Sequence, residues 1–165
     1  MHIIIADADK RSRVKLVELT EQWGYEVTGA KDKQAALAAL QQSHKPVICV
    51  LGHELSVSTR VNLCRQAKGM AETYVLLLSS PIDIGPTSEG MLAGANDYIS
   101  LPIDDTEFRV RLDVAERVLH LKKEKASADL VSQTTLDEGD EAGSREKTSS
   151  RLLKQLKLRE ATLDE

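Results

Sequence analysis

The sequence predicts an α/β fold in which helices cover a parallel β-sheet. Short apolar runs alternate along the chain with segments of helical periodicity, and turn residues separate them, which is typical of successive βα units. Aromatic residues make up 3% of the 165 residues and hydrophobic residues 41%, so the core must be mainly aliphatic. The two longest apolar runs lack polar alternation, which indicates strands that are buried on both faces.

The elements follow one another in five βα units. The predicted strands are HIIIA at 2–6, YEVTGA at 25–30, VICVL at 47–51, YVLLL at 74–78 and DYIS at 97–100. The predicted helices cover about 10–23, 33–40, 58–68, a short stretch from Pro86 to Gly94, and a long segment that follows Asp104 and Asp105. Gly24 ends the first helix, and Pro86 suits the first turn of the fourth. The last helix is acidic at its start and basic at its end, as the helix dipole favours.

Composition excludes several classes of site. No apolar run approaches the ~20 residues of a membrane span, and no basic-then-apolar leader is present, so we expect a cytoplasmic protein without a membrane partner. Cys49 and Cys64 have no Cys or His partner at metal-ligand spacing, so we interpret both as core residues and expect no metal site and no cofactor. We expect no nucleic-acid partner, and the first strand lacks the glycine-rich loop of a nucleotide-binding enzyme.

A change in composition near residue 125 predicts one domain over 1–124 and a tail. Residues 126–149 hold two basic and six acidic residues (2 − 6 = −4), which equals the net charge of the whole chain. We therefore interpret 125–149 as an acidic disordered linker. Residues 150–165 are predicted to form a short amphipathic helix, whose docking face consists of Leu152, Leu153, Leu156 and Leu163.

Two stretches at the predicted strand ends carry a resemblance to a known family. The stretch AGANDYISLPID at 93–104, read with IIIADADK at 3–10, resembles the receiver domain of bacterial two-component response regulators. The resemblance covers about residues 2–122 and rests on the order of the strands, on Tyr98 and on Pro102. It implies a flavodoxin-like (CheY-like) fold, a doubly wound sheet of five parallel strands in the order 2-1-3-4-5.

The resemblance also implies positions for phosphoryl-transfer chemistry. In such receivers a histidine kinase phosphorylates an Asp at the end of the third strand, and Mg²⁺ binds that Asp and an acidic pair after the first strand. A Ser or Thr after the fourth strand and a Lys after the fifth contact the phosphoryl oxygens. The corresponding residues here are Asp7 and Ala8 for the pair, Gly52 for the acceptor, Ser79 for the hydroxyl and Leu101 for the Lys. The resemblance thus implies a degenerate pseudo-receiver.

The polar residues that remain near these positions have structural interpretations. We expect Asp7 to accept hydrogen bonds from backbone N–H groups, and Asp9 to cap the first helix. The alternatives are that Asp9 replaces the acid missing at Ala8, or that His53 or Glu54 mimics a phosphorylated state. Loop residues after the third strand usually have no such role, so we favour the structural interpretation.

Two classes of function remain. The first is a phosphorylation-independent, non-enzymatic module that binds a signalling partner or a second copy of itself through the face formed by the fourth helix, fifth strand and fifth helix, which carries Tyr98 and Pro102. The second is a receiver that is phosphorylated at an unconventional residue, which Gly52 and Leu101 disfavour. The chain could also be the N-terminal regulatory receiver of a longer protein whose output domain is a diguanylate cyclase, a phosphatase or a kinase.

Overall fold

A five-stranded parallel sheet forms the centre of the structure, a computed structural model that describes residues 1–70, 72–82 and 84–130. The spatial order is β2-β1-β3-β4-β5, and every neighbouring pair is parallel. The predicted fold class and strand order are therefore confirmed. The strands are β1 (His2–Ala6), β2 (Glu26–Ala30), β3 (Val47–Leu51), β4 (Thr73–Ser79) and β5 (Asp97–Ser100).

Short polar side chains begin the helices that connect these strands. Asp9, Asp32 and Ser56 each accept a hydrogen bond from the backbone N–H three residues later, which satisfies a donor that the helix leaves free. Gly24 follows the first helix with φ of 89°, a conformation that favours glycine. The helices are α1 (Lys10–Gln22), α2 (Lys33–Gln42), α3 (Val57–Lys68), α4 (Ile84–Ala93) and α5, which covers residues 105–130 of the described chain.

The sheet separates two apolar clusters. One cluster joins β1, β3 and β4 to α2, α3 and α4, and it includes both Cys49 and Cys64, as predicted. The other cluster joins the opposite face to α1 and α5, and α5 contributes its predicted stripe of Phe108, Leu112, Ala115 and Leu119. Because helices cover both faces, the strands β1, β3 and β4 are buried along their whole length.

The register of the strands places the predicted site residues at one edge of the sheet. Ala6, Leu51 and Leu77 lie side by side, so the residues that follow them extend beyond the sheet at nearly the same level. In open α/β sheets this carboxyl edge is where ligands bind. Asp7 and Gly52 therefore lie at the position where a functional site is expected.

The start of the predicted tail differs from the expectation. Residues 125–130, the first six of the predicted disordered linker, are helical. The physical reason is local, because these six residues include the strong helix formers Lys, Ala and Leu, and no Gly or Pro occurs between Pro102 and residue 139. The chain divides into two compact units, Met1–Lys123 and Glu124–Glu165, and only residues 124–130 of the second are described. The remainder of the predicted linker and the Leu152, Leu153, Leu156 and Leu163 face lie outside the described residues.

The described helices offer no membrane span. None of those within residues 1–70, 72–82 and 84–130 is both long enough and apolar enough to cross a bilayer.

Candidate functional site

The side chain of Asp7 occupies the space where residue 52 would carry its own side chain. Gly52 follows β3, and its N–H donates to the carbonyl of Ala6 at 2.7 Å. A Cβ atom built on Gly52 would overlap Asp7 Cγ and Oδ2 and would lie 2.6 Å from Asp7 Cβ, closer than real Cβ contacts occur. The absence of a side chain at position 52 is therefore what allows Asp7 to adopt its position.

Both carboxylate oxygens of Asp7 are used within the chain. Asp7 is 1% exposed, Oδ1 accepts the backbone N–H of Asp9 at 3.0 Å, and Oδ2 accepts the hydroxyl of Ser12 at 2.9 Å. The predicted backbone hydrogen bond of Asp7 is thus present. Ala8 is exposed, and the Asp9 carboxylate accepts the backbone N–H of Ser12 as the helix cap. The carboxylate of Asp9 therefore serves α1 rather than replacing an acid at position 8.

The hydroxyl of Ser79 is directed toward α4. Ser79 Oγ lies 2.5 Å from the hydroxyl oxygen of Thr87 and 3.2 Å from the carbonyl oxygen of Ser80. Ser79 and Thr87 are both buried. Leu101 lies next to Ser79, because its N–H donates to the Ser79 carbonyl at 2.8 Å. The Leu101 side chain packs against the apolar cluster of α1 and α5, so it brings no charge to the edge of the sheet.

The donors at this edge do not suit Mg²⁺. Mg²⁺ needs an octahedral set of oxygen ligands and gives up its water molecules reluctantly. Position 52 supplies no carboxylate, Ala8 supplies none, and the oxygens of Asp7 already accept two hydrogen bonds. Within residues 1–70, 72–82 and 84–130, no cluster of three His, Cys, Asp or Glu side chains could hold a metal ion.

His53 and Glu54 contact each other in the loop that follows Gly52. His53 Nε2 lies 3.3 Å from Glu54 Oε1, and the two side chains are 33% and 52% exposed. Their polar atoms therefore interact at the surface.

Arg60 is a charged residue at this edge that the sequence analysis did not identify. It lies on α3 but is only 4% exposed, and its Nη1 donates to the carbonyl of Leu78 at 3.4 Å. A helical pattern could have revealed its burial, because Arg60 shares the spacing of Leu63, Cys64 and Ala67 on the buried face of α3.

The predicted interaction face is exposed and carries a cavity. Tyr98 is 47% exposed, and Pro102 is also exposed. A cavity of about 530 Å³ lies between α4 and β5, and its lining residues are all uncharged, namely Ser79, Ser80, Pro81, Ile84, Thr87, Ser88, Met91, Leu92, Tyr98 and Ser100. The nearby Arg111 is paired with Asp97 at 2.9 Å and with Glu107 at 3.4 Å.

Comparison with known proteins identifies the family of the chain. The sequence profile of the response regulator receiver domain matches residues 3–113. The chain belongs to the response regulator receiver family. Receiver domains of this family act in two-component signalling, where they interact with partner proteins.

The chain is similar in sequence to individual regulators and in fold to solved structures. The transcriptional regulatory protein KdpE of Mycobacterium tuberculosis (strain CDC 1551 / Oshkosh) is 29% identical over 115 residues, which cover 70% of this chain and 50% of that protein. Full-length FixJ from B. japonicum is 25% identical with a TM-score of 0.62, covering 72% of this chain and 58% of that one. The chemotaxis response regulator CheY4 of Vibrio cholerae is 20% identical with a TM-score of 0.59, covering 69% of this chain and 97% of that one. The chain spans about half the length of the curated relative KdpE.

Proposed function

We propose that this receiver is a phosphorylation-independent module that binds a protein partner and has no enzymatic activity. The observation that carries the proposal is the arrangement of Gly52 and Asp7. A phosphoryl group needs a nucleophilic carboxylate at the end of β3, and Gly52 supplies none. The side chain of Asp7 fills the space that such a carboxylate would need.

Asp7 is a poor substitute for the missing acceptor. Its carboxylate is 1% exposed, and both oxygens accept hydrogen bonds from the chain. A phosphodonor would have to reach a buried oxygen and break one of those bonds. Leu101 adds no positive charge to stabilise the transferring phosphoryl group. These features favour partner binding over phosphorylation at an unconventional residue.

The exposed apolar surface supports partner binding. Ile84 is 76% exposed, Leu92 is 86% exposed, and both line the uncharged cavity beside Tyr98. Large exposed apolar side chains around a cavity are typical of interaction sites. Because the neighbouring charges of Arg111, Asp97 and Glu107 are paired with one another, we infer that the partner contributes an apolar surface.

Phosphodonor treatment tests the first half of the proposal. Acetyl phosphate with Mg²⁺, or beryllium fluoride with Mg²⁺, should leave both the mass and the amide NMR spectrum of the full chain unchanged. Gly52→Asp alone should also remain unphosphorylated, because Leu101 and Ala8 still lack the charge and the metal ligand. The triple variant Gly52→Asp, Leu101→Lys, Ala8→Asp is the smallest change that should accept a phosphoryl group, and it does so only when the Asp7 side chain moves out of the space beside position 52. A stoichiometric adduct on the wild-type chain would contradict the proposal.

Affinity capture from the source cell tests the second half. The wild-type chain should retain a partner that Leu92→Asp loses, because the substitution places a charge on the apolar surface. Val14→Asp is the matched control, since Val14 is 43% exposed on α1, away from this surface. Equal capture by the Leu92→Asp and wild-type chains would show that the partner binds elsewhere.

A further inference from the structure

A second cavity, of about 430 Å³, lies between α3 and α4. Its lining residues form one stripe on each helix, Val61, Arg65 and Lys68 on α3 and Glu89, Leu92 and Ala93 on α4. Leu92 also lines the uncharged cavity between α4 and β5. Because the 86% exposed side chain of Leu92 borders both cavities, a partner that covers it is also brought close to the α3 stripe.

The α3 side of this cavity carries two cations without acidic partners. Arg65 and Lys68 are exposed, and no carboxylate oxygen in the part of the chain that the structure describes lies within 4.0 Å of either side-chain charge. The helix dipole explains part of their placement, because the last turn of a helix favours positive charge. The dipole supplies no carboxylate, however, and Glu89 is the one acid that lines the cavity. Positive charge therefore exceeds negative charge there.

The stem of Lys68 is held against the residue that follows α4. A Cβ atom built on Gly94 would lie 2.8 Å from Lys68 Cδ and 2.9 Å from Lys68 Cβ, so this approach depends on the missing side chain of Gly94. A packed stem has fewer rotamers to lose when its ammonium group pairs with an acid. Lys68 is thus a cation whose position beside the cavity is set before a partner binds.

We propose that the partner segment that covers Leu92 is both apolar and acidic. Its apolar side chains pack on Leu92, and a carboxylate next to them pairs with Arg65 and Lys68. This inference rests on the proposed partner surface around Leu92 and adds the sign of the partner's charge, which the paired charges beside β5 do not indicate. The net charge of the whole chain, −4, favours a basic partner instead, so the local charge between α3 and α4 predicts the opposite preference.

Two synthetic peptides with the same leucine-faced helical design test the proposal on the full chain. One peptide carries Glu beside its leucine face, and its twin carries Lys at the same positions. At low ionic strength the Glu peptide should bind about ten-fold more tightly, because its ion pairs with the cavity become repulsive contacts in the twin. Added NaCl should reduce the difference, since salt screens exposed charges. The amide resonances of Val61, Lys68 and Leu92 should shift with the Glu peptide.

Variants of the full chain assign the preference to the two cations. The double variant Arg65→Gln, Lys68→Gln should weaken the Glu peptide about ten-fold without weakening the Lys peptide. Gln keeps the Cβ, Cγ and Cδ atoms of Lys68 beside Gly94, so the change removes the charge and spares the packing. Lys15→Gln is the matched control, because Lys15 is exposed on α1, which packs on the opposite face of the sheet, and it should leave both affinities unchanged.

The inference and the proposed partner surface fail in different ways. Equal affinities for the two peptides, no saturable binding of the Glu peptide, or equal binding of that peptide by the double variant and the wild type would overturn the acidic-partner inference. A cellular partner that Leu92→Asp loses but the double variant retains in full would overturn it too, while leaving the partner surface in place. The surface itself is disproved only if Leu92→Asp captures the partner as well as the wild type does.

Discussion

Replacing Gly52 with Ala should destabilise the domain far more than a single methyl group would at an open position. The new Cβ would overlap the Asp7 carboxylate and lie 2.6 Å from Asp7 Cβ. A different rotamer of Asp7 would move the carboxylate but would leave its Cβ in place, so the backbone of β1 or β3 must also shift.

The expected magnitude follows from two costs. Inserting a methyl group into a packed site costs about 1–3 kcal/mol. Displacing the Asp7 carboxylate also disrupts its hydrogen bonds with the N–H of Asp9 and the hydroxyl of Ser12, and hydrogen bonds to charged groups contribute about 1.5–3 kcal/mol each. Partial relaxation reduces the sum, so we expect Gly52→Ala to lower the free energy of unfolding by about 2–4 kcal/mol.

Urea denaturation measures this loss, provided that the m value stays constant. A double-mutant cycle assigns it to the contact, because in an Asp7→Gly background the same Gly52→Ala change should cost less than about 1 kcal/mol. Gly85→Ala is the control, since no atom lies within 4 Å of a Cβ at that position on α4. If Gly52→Ala cost no more than Gly85→Ala, or cost as much without Asp7 as with it, the steric argument would be wrong.

Three further predictions concern buried groups elsewhere in the domain. Burial lowers the pKa of His2 below the usual 6.5, so the unfolded chain takes up a proton that the folded chain does not, and stability should fall as pH decreases below about 6.5. The fall should be smaller in His2→Gln than in the wild type. If urea denaturation gave the same pH dependence for both chains, the burial of His2 would not be its cause. Burial raises the pKa of Cys49 to about 12 and that of Cys64 to about 11. Neither thiol should react with iodoacetamide at neutral pH until urea unfolds the chain. Rapid labelling of either thiol in the folded chain would show that burial does not suppress its reactivity. Phe108→Ala should lower the free energy of unfolding by about 3–5 kcal/mol, because Phe108 is 0% exposed, and a loss below about 1 kcal/mol would show that the core adapts.

The strands and most helix ends could be predicted because their signals are local. The run from Val47 to Leu51 is apolar at every position, and Asp9 precedes a helix that its side chain caps. The last described residues of α5 were less predictable, since residues 125–130 combine helix-forming residues with the start of an acidic stretch. Composition indicated disorder there, whereas the helix continues because backbone hydrogen bonds propagate until a residue interrupts them.

The candidate site shows where local signals end. The sequence by itself determined that position 52 carries no carboxylate, that position 101 carries no charge, and that an aliphatic sheet would bring these positions to one edge. Only the tertiary structure decided that Asp7 fills the space beside Gly52 and that the Arg60 guanidinium contacts the Leu78 carbonyl. Both facts depend on groups that are far apart in the chain. The register of β1, β3 and β4 and the packing of α3 determine which of these atoms meet. No local pattern encodes those distances, because a charged residue on a helix faces solvent or the core according to what packs against it.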